Sequence, residues 1–298
     1  MPSRSLLTFK AASLAARAVP LGPLQSAADH AARRLAPRFL PDKADQLTRH
    51  IRRVDPTLST SEAEAAMRRG LGSYARYWVE SFRLPHAGAR AVAEGITVIG
   101  YEHVQASLDA GLGPILVLPH LGAWEWAAAW LHHVKHERVA AVVERLEPAD
   151  VFDWFAELRR GYGIDVIPVG TDAMARLVKA VNNRDIVCLL ADRDLNGSGV
   201  EVELFGETTT LPAGPALLAR RTGAPLLPTA VYYRGDGHRI GLVLPAVTAD
   251  PTAKLRPEVA RVTQELARNL ERLISAAPDQ WHLLEPNWPS DQDVAKQG

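Results

Sequence analysis

Between residues 96 and 244, short apolar runs alternate with stretches of helical pattern, and this alternation restricts the possible folds more than any other feature. The apolar runs are Ile96–Ile99, Pro114–Leu118, Val139–Val143, Val166–Pro168, Ile186–Leu190, Val200–Leu204, Pro225–Tyr232 and Ile240–Leu244. The helical stretches between many of them are 101–110, 122–136, 148–161, 171–182 and 213–222, and a last helix is expected over about 256–276. Continuous apolar strands separated by helices are typical of a sheet that is covered on both faces. The sequence therefore predicts an α/β fold with a central sheet flanked by helices.

The first 95 residues have a different, helical pattern that several prolines interrupt. One of the expected helices begins near Thr60 and carries Tyr74, Tyr77 and Trp78 on one side, where they would pack in the core or line an acyl groove. We predict a helical N-terminal extension packed on the core over 1–95, an α/β core over 96–288 and a polar tail over 289–298.

Basic residues are concentrated at the N-terminus. Residues 1–40 contain six Lys or Arg residues and a single acid, Asp29, with apolar residues interleaved. Such a pattern fits a basic amphipathic helix that lies on an anionic lipid surface, and it equally fits surface helices packed on the core. No segment approaches the ~20 apolar residues that span a bilayer. We expect a peripheral association with the membrane through these helices.

The charge balance and the cysteine count exclude several classes of protein. The 34 Lys and Arg residues equal the 34 Asp and Glu residues, and this balance argues against a general nucleic-acid binder. The single cysteine, Cys188, rules out an intramolecular disulfide and a cysteine-rich zinc site. Nothing in the sequence predicts a metal, a cofactor or a protein partner.

The best catalytic candidate is a histidine at the end of a buried strand. His120 follows the run that ends at Leu118, and ligands of α/β folds collect at the carboxyl ends of strands. Glu125 lies five residues further on, a spacing that would let its carboxylate reach one imidazole nitrogen. The other nitrogen would then face the cleft as a general base, with the acid stabilising the imidazolium. We therefore predict a catalytic pair of His120 and Glu125.

Further charged residues follow the neighbouring strands. Glu144 and Arg145 end one of them, Arg159 closes the next helix, and Asp192 and Arg193 follow another strand. Arginines at this edge would hold a phosphate or polarise a carbonyl oxygen, whereas the alternative is a structural network of ion pairs. We predict that these five residues bind substrate.

Other enzyme classes fit the sequence poorly. A serine hydrolase needs a G-x-S-x-G turn before a helix, but the string Gly197-Ser198-Gly199 lacks that spacing and precedes a strand. His132 and His136 have the spacing of a helical metal-binding pair, but no acid completes the zincin pattern. A non-catalytic lipid-binding protein remains a third alternative, because a fold does not guarantee an activity.

Five segments, in their order along the chain, resemble a known family. They are SYARYWVESFRLP (73–85), LPHLGAWEWAAAWL (118–131), VVERLEPADVF (142–152), VCLLADRDLNGSGVEVELFGETTTLPAGPALLARRTGAPLLP (187–228) and PDQWHLLEPNWP (278–289). Together they resemble the lipid A lauroyl/myristoyl-type acyltransferase family, and within it the phosphatidylinositol mannoside acyltransferases of actinobacteria. The resemblance covers roughly residues 70–290.

The resemblance implies an acyltransferase with a mixed, glycerol-3-phosphate acyltransferase-like sheet. It implies acyl-CoA as the donor, a mannose hydroxyl of a phosphatidylinositol mannoside as the acceptor, and the cytosolic face of the plasma membrane as the location. His120 would be the base, Glu125 its partner and Arg159 an arginine of the site. Asp192 stands where similar mannoside acyltransferases usually have glutamate, and Glu125 where they tend to have aspartate, so another glycolipid acceptor is the alternative.

Overall fold

Seven of the eight apolar runs form the strands of a seven-stranded sheet in the computed structural model, which describes residues 3–145, 147–195 and 197–291. The eighth run, Val200–Leu204, lies in a separate two-stranded sheet. The strands are β1 (Ile96–Ile99), β2 (Ile115–Leu118), β3 (Val139–Val143), β4 (Ile164–Pro168), β5 (Ile186–Leu190), β6 (Val200–Leu204), β7 (Glu207–Leu211), β8 (Leu226–Tyr233) and β9 (Arg239–Val243). The order in the sheet is β1-β9-β8-β2-β5-β3-β4. Only the β8–β9 pair is antiparallel, so the predicted mixed α/β sheet is confirmed.

Helices cover this sheet and also form most of the first 95 residues. They are α1 (Arg4–Ala18), α2 (Leu21–Phe39), α3 (Pro41–Val54), α4 (Thr60–Arg83), α5 (Ala89–Glu94), α6 (Tyr101–Asp109), α7 (Trp124–His133), α8 (Ala149–Arg160), α9 (Ala173–Asn182), α10 (Gly214–Thr222) and α11 (Leu255–Ser275). Within the described residues, none of these helices is both long and apolar enough to cross a bilayer. The start of the predicted tail includes the buried Asp291, and residues 292–298 lie outside the described residues.

Strand β2 illustrates why the apolar runs are continuous. Leu116 and Leu118 belong to a core cluster with residues of α6, α7 and α8, whereas Ile115 and Val117 belong to a cluster with α9, α10 and α11. Successive side chains of a strand point to opposite faces, so a sheet covered on both faces needs an apolar residue at every position. All four residues are buried, which explains why this run carries no alternation of polar and apolar residues.

The sequence did not predict β7. This strand reads Glu-Thr-Thr-Thr-Leu and pairs antiparallel with β6 in a separate hairpin. Phe205 and Gly206 connect the two strands with positive φ angles, as two-residue hairpin turns require. Only Thr209 and Leu211 of this strand are buried, because one face of the hairpin packs on α11 while the other meets solvent. The polar composition of β7 therefore explains why the search for apolar runs did not predict this strand.

Helix α7 begins two residues later than the predicted stretch 122–136. Leu121 forms a β-bridge with Trp281, and Gly122 forms one with Val231. Gly122 has φ +61°, and a Cβ atom at this position would overlap the Val231 carbonyl oxygen. The chain therefore forms bridges at the sheet edge before the helix can start, and glycine at this position is required by both the backbone angle and the close approach.

Replacing Gly122 with alanine should destabilise the fold through this overlap. We expect Gly122→Ala to lower the free energy of unfolding by at least about 2 kcal/mol in urea denaturation. Gly237→Ala is the matched control, because Gly237 also has a positive φ but open space around its Cβ position, and it should cost only about 1 kcal/mol. Equal losses in the two variants would contradict the packing argument.

Candidate active site

The parallel register of two neighbouring strands brings His120 and Asp192 to the same edge of the sheet. Leu118 of β2 is the register partner of Leu190 of β5. His120 and Asp192 each follow two residues after these partners, at the carboxyl ends of their strands. This edge is where ligands bind in open α/β sheets.

His120 and Asp192 are joined by two hydrogen bonds. The imidazole Nδ1 lies 2.7 Å from Asp192 Oδ1, and the His120 backbone N–H donates to Asp192 Oδ2 over 2.9 Å. Asp192 Oδ2 also accepts from the Trp281 indole Nε1–H at 2.7 Å. Asp192 is completely buried, whereas the His120 side chain is 33% exposed. The pair therefore consists of a fixed carboxylate and a ring that is open to the surface.

The surroundings of Asp192 keep its carboxylate ionised. Burial raises the pKa of Asp192, but His120 and the Trp281 N–H offset this effect and hold the pKa below the usual value for aspartate. An ionised carboxylate can only accept hydrogen bonds, so His120 Nδ1 carries the proton. Nε2 is then the nitrogen of the neutral ring with a free lone pair, which is the requirement for a general base.

The structure corrects the predicted pairing of His120 with Glu125. Glu125 is the second residue of α7, and its buried Oε1 accepts from Arg159 Nε at 2.9 Å and from the Tyr77 hydroxyl at 3.2 Å. The extended segment at Leu121 and Gly122 separates His120 from the helix. The spacing of five residues therefore does not bring the Glu125 carboxylate to the imidazole. The carboxylate instead contacts Tyr77 of α4 and Arg159 of α8.

The pair of Glu125 and Arg159 is a buried ion pair with aromatic neighbours. Burial lowers the pKa of Arg159, but the Glu125 carboxylate outweighs burial and raises this pKa above its usual value. Burial and the same carboxylate raise the pKa of Tyr77 and that of Tyr162, so both phenols stay protonated. The Tyr77 ring stacks on the Trp124 ring with 4.2 Å between the ring centroids. The Trp124 and His120 rings are T-shaped, with 5.8 Å between their centroids. The two clusters are thus connected through aromatic rings.

The other predicted substrate-binding residues lie outside these contacts. Glu144 and Arg145 are exposed in the loop after β3, and Arg193 is partly buried next to Asp192. Within the described part of the chain, none of the three forms a hydrogen bond or an ion pair with His120, Asp192 or Glu125. Their role in binding remains a prediction.

The sequence predicted no role for His282, whose backbone is hydrogen-bonded to that of His120. The His282 backbone N–H donates to the His120 carbonyl oxygen at 2.7 Å, and its Nε2 is hydrogen-bonded to Ser73 Oγ at 2.8 Å. Burial, and secondarily the neighbouring His120, lower the pKa of His282 to about 3. The position falls in the segment 278–289 that carries the family resemblance, and this was the only signal for it.

Two more residues of the same segment support Asp192. Trp281 donates to its carboxylate, and the Asn287 Nδ2 donates to its backbone carbonyl oxygen at 3.0 Å. Trp281 is 1% exposed and belongs to the core cluster under the β6–β7 hairpin. The C-terminal segment therefore fixes both members of the His120–Asp192 pair.

The buried neutral His282 should make the fold sensitive to acid. The unfolded chain takes up a proton at this residue near pH 6.5, whereas the folded chain does so only near pH 3. This part of the stability is thus fully present above about pH 6.5 and falls by about 1.4 kcal/mol per pH unit as the pH drops toward 3. We expect urea denaturation between about pH 6.5 and 4.5 to give a correspondingly smaller slope for His282→Gln. The exposed His30 provides the control variant, His30→Gln, which should keep the wild-type slope; an unchanged slope in His282→Gln would contradict the assignment.

The same chain was compared with known proteins. The sequence profile described as bacterial lipid A biosynthesis acyltransferase matches residues 7–290. Two proteins named phosphatidylinositol mannoside acyltransferase, from two strains of Mycobacterium tuberculosis, are each 38% identical over 288 residues, which cover 95% of this chain and 88% of theirs. A protein of the same name from Mycolicibacterium smegmatis is 37% identical over 252 residues, covering 83% of this chain and 80% of its own. The match extends over nearly the whole chain, and the His120–Asp192 site lies at the sheet edge where ligands bind in such folds. This protein is therefore an acyltransferase of the bacterial lipid A biosynthesis acyltransferase family.

Proposed function

We propose that this protein transfers a palmitoyl group from acyl-CoA to a mannose hydroxyl of a phosphatidylinositol mannoside, with His120 as the general base and Asp192 as its partner. The observation that carries the proposal is the 2.7 Å contact between His120 Nδ1 and the buried Asp192 carboxylate, on an imidazole that is one-third exposed. The name shared by the three relatives supports the choice of acceptor. The donor and the chain length rest on the family resemblance.

In the proposed reaction the acyl group moves directly from donor to acceptor. His120 Nε2 takes the proton of the mannose hydroxyl while the hydroxyl oxygen attacks the thioester carbonyl carbon. Asp192 stabilises the imidazolium that forms, through the bond at Nδ1. The tetrahedral intermediate then expels the sulfur of coenzyme A, and the imidazolium returns its proton to this sulfur. The products are the acylated mannoside and free coenzyme A, and His120 is neutral again.

The developing oxyanion requires hydrogen-bond donors, and the candidates are the backbone N–H groups near Gly122 and the Arg159 guanidinium. The Gly122 N–H donates to the Gln280 carbonyl oxygen and the Ala123 N–H to that of Val231, so both are already used. The Arg159 guanidinium has five N–H donors, of which Glu125 engages only those at Nε and Nη2. We therefore favour Arg159 over the backbone, with Glu125 as the residue that holds the guanidinium in place.

The acceptor would be reached at the membrane surface, on the cytosolic face of the plasma membrane. Helix α2 has no buried residue, and α1 exposes Leu7 and Leu14 although it packs Leu6 and Ala16 against the core. Exposed apolar side chains combined with the basic residues of the first 40 positions suit binding to an anionic lipid surface. This arrangement would keep the site beside lipid acceptors.

The proposal predicts acyl transfer that depends on His120. Purified protein is incubated with palmitoyl-CoA and a panel of acceptors that includes phosphatidylinositol mannosides; free thiol reports release of coenzyme A, and mass spectrometry identifies the product. His120→Ala should lower kcat by about 10²–10⁴-fold, the usual contribution of a general base. Acylation of another lipid would overturn the acceptor alone, whereas full activity of His120→Ala would overturn the mechanism.

The two buried acids should differ in their effect on the reaction. Asp192→Asn removes the charge that stabilises the imidazolium, so kcat should fall by at least about 10²-fold with little change in the KM for palmitoyl-CoA. Glu125→Gln leaves the His120–Asp192 pair intact but weakens a buried ion pair, so the free energy of unfolding should fall by about 3 kcal/mol and kcat should fall less than in Asp192→Asn. The reverse order of the two kcat values would restore Glu125 as the partner of His120.

A further inference from the structure

A cleft rich in arginine lies on the N-terminal helices, apart from the His120–Asp192 pair. Its volume is about 500 Å³, which is within the range of small-ligand sites. Its lining consists of one histidine, four arginines and an alanine: His30, Arg33 and Arg34 from α2, and Ala65, Arg68 and Arg69 from α4. The mechanism proposed above uses none of these residues.

Carboxylates hold two of these arginines by the nitrogen nearest the backbone. Arg69 Nε donates a hydrogen bond to Asp279 Oδ2 at 2.7 Å, whereas Arg33 Nε lies 2.8 Å from Asp29 Oδ2 in an ion pair that lacks hydrogen-bond geometry. Both side chains are almost half exposed, so their terminal Nη groups remain available to a ligand. A guanidinium that is held through Nε and offers its Nη donors is suited to bind the oxygens of a phosphate.

Arg68 has a different role, because its donors are used within the protein. Its Nε and Nη2 donate to Glu64 Oε1, and its Nη1 donates to the Arg33 carbonyl oxygen at 3.0 Å. This last bond ties α4 to α2. Gly72 allows the close packing of the two helices, since a Cβ atom there would overlap the Asp29 carboxylate. The walls of the cleft are therefore fixed relative to each other.

The cleft has an excess of positive charge. The four arginines face three paired carboxylates, those of Asp29, Glu64 and Asp279, which leaves a net charge of +1. Within the described residues, the exposed Arg34 has no ion pair. Arg34 is thus the cation most available to an anion.

Exposed apolar residues at the end of α2 indicate where the anion comes from. Phe39 is 76% exposed and Leu40 is 52% exposed, and Phe39 is the most exposed large apolar residue of the described chain. Phe39 lies five residues beyond Arg34, or about 7.5 Å along the helix axis. Apolar side chains of interfacial helices reach about 5–10 Å into the boundary between headgroups and acyl chains. The helix end can therefore enter the lipid while Arg34 stays at the level of the phosphates.

We propose that this cleft binds the phosphate-bearing headgroup of an anionic membrane lipid, with Arg33, Arg34 and Arg69 as the phosphate ligands. The inference rests on the membrane-surface location proposed above, but it does not depend on the acyl transfer. The ligand would be a bilayer lipid that anchors the N-terminal helices and is not consumed. Helix α4 would carry this anchoring to the active site, because the same helix provides Ser73 and Tyr77 to the contacts with His282 and Glu125.

The experiment measures co-sedimentation with vesicles of phosphatidylcholine alone and of phosphatidylcholine with one-fifth phosphatidylinositol, without acyl-CoA and at about 0.1 M salt. Arg34→Ala should weaken binding to the anionic vesicles more than about tenfold, because it loses direct hydrogen bonds to a phosphate in addition to the about fivefold contribution of any basic residue at an anionic surface, and Arg34→Ala with Arg69→Ala should weaken it further. Arg38→Ala is the matched control, since Arg38 is exposed on the same helix, has no ion pair within the described residues and does not line the cleft. It should weaken binding by at most about fivefold, the contribution of a surface charge without a bound phosphate.

Three outcomes would overturn the inference. Equal losses in Arg34→Ala and Arg38→Ala would show that binding depends on diffuse charge. Coenzyme A or inorganic phosphate that binds in calorimetry to the wild type, but not to Arg34→Ala, would assign the cleft to a soluble phosphate compound. No binding to either kind of vesicle would overturn the membrane location as well, whereas the acylation assay with detergent-dispersed acceptors would still test the reaction separately.

Discussion

The buried carboxylate of Asp192 is the group on which the arrangement of the site depends. A buried ion is stable only when hydrogen bonds and opposite charge replace the water it has lost. Asp192 obtains them from the His120 ring and backbone and from the Trp281 indole. These donors come from the end of β2 and from the C-terminal segment, so elements far apart in the chain must converge if the carboxylate is to stay ionised when it is buried. The placement of His120 and the assembly of the fold are therefore connected.

The two acids near the site have separate surroundings and separate partners. Asp192 holds His120, whereas Glu125 holds Arg159 and accepts from the Tyr77 hydroxyl. Trp124 lies between the two groups, with one contact to the His120 ring and another to the Tyr77 ring. This separation gives each acid its own partner, an imidazole for Asp192 and a guanidinium for Glu125.

Helix α4 connects the N-terminal helices with the sheet edge. Its capping box at Ser59 and Glu62 defines the start of the helix, and Tyr77 near its other end is buried against Trp124 and Glu125. Arg68 and Arg69 lie on the same helix, four to nine residues before Ser73 and Tyr77. Because this helix is continuous, the surface that we assign to lipid and the sheet edge at His120 are held at a constant separation.

Local patterns in the sequence determined the α/β class, most strand and helix positions, and His120 as the candidate base. A strand that is buried on both faces, such as β2, must be apolar throughout, so its composition alone reveals it. The family resemblance pointed to acyl transfer, and the comparisons confirmed the family. Strand β7 was not predicted because four of its five residues are polar, and its burial depends on packing against α11.

Only the tertiary structure decided which acid is the partner of His120. The sequence favoured Glu125, five residues away, because spacing along the chain is all that a sequence displays directly. Asp192 lies 72 residues from His120, and the parallel pairing of β2 with β5 is what brings the two together. His282 and Trp281 likewise reach the site only through the packing of the C-terminal segment. Strand register and packing are properties of the whole chain, so contacts between distant residues are decided when the sheet assembles.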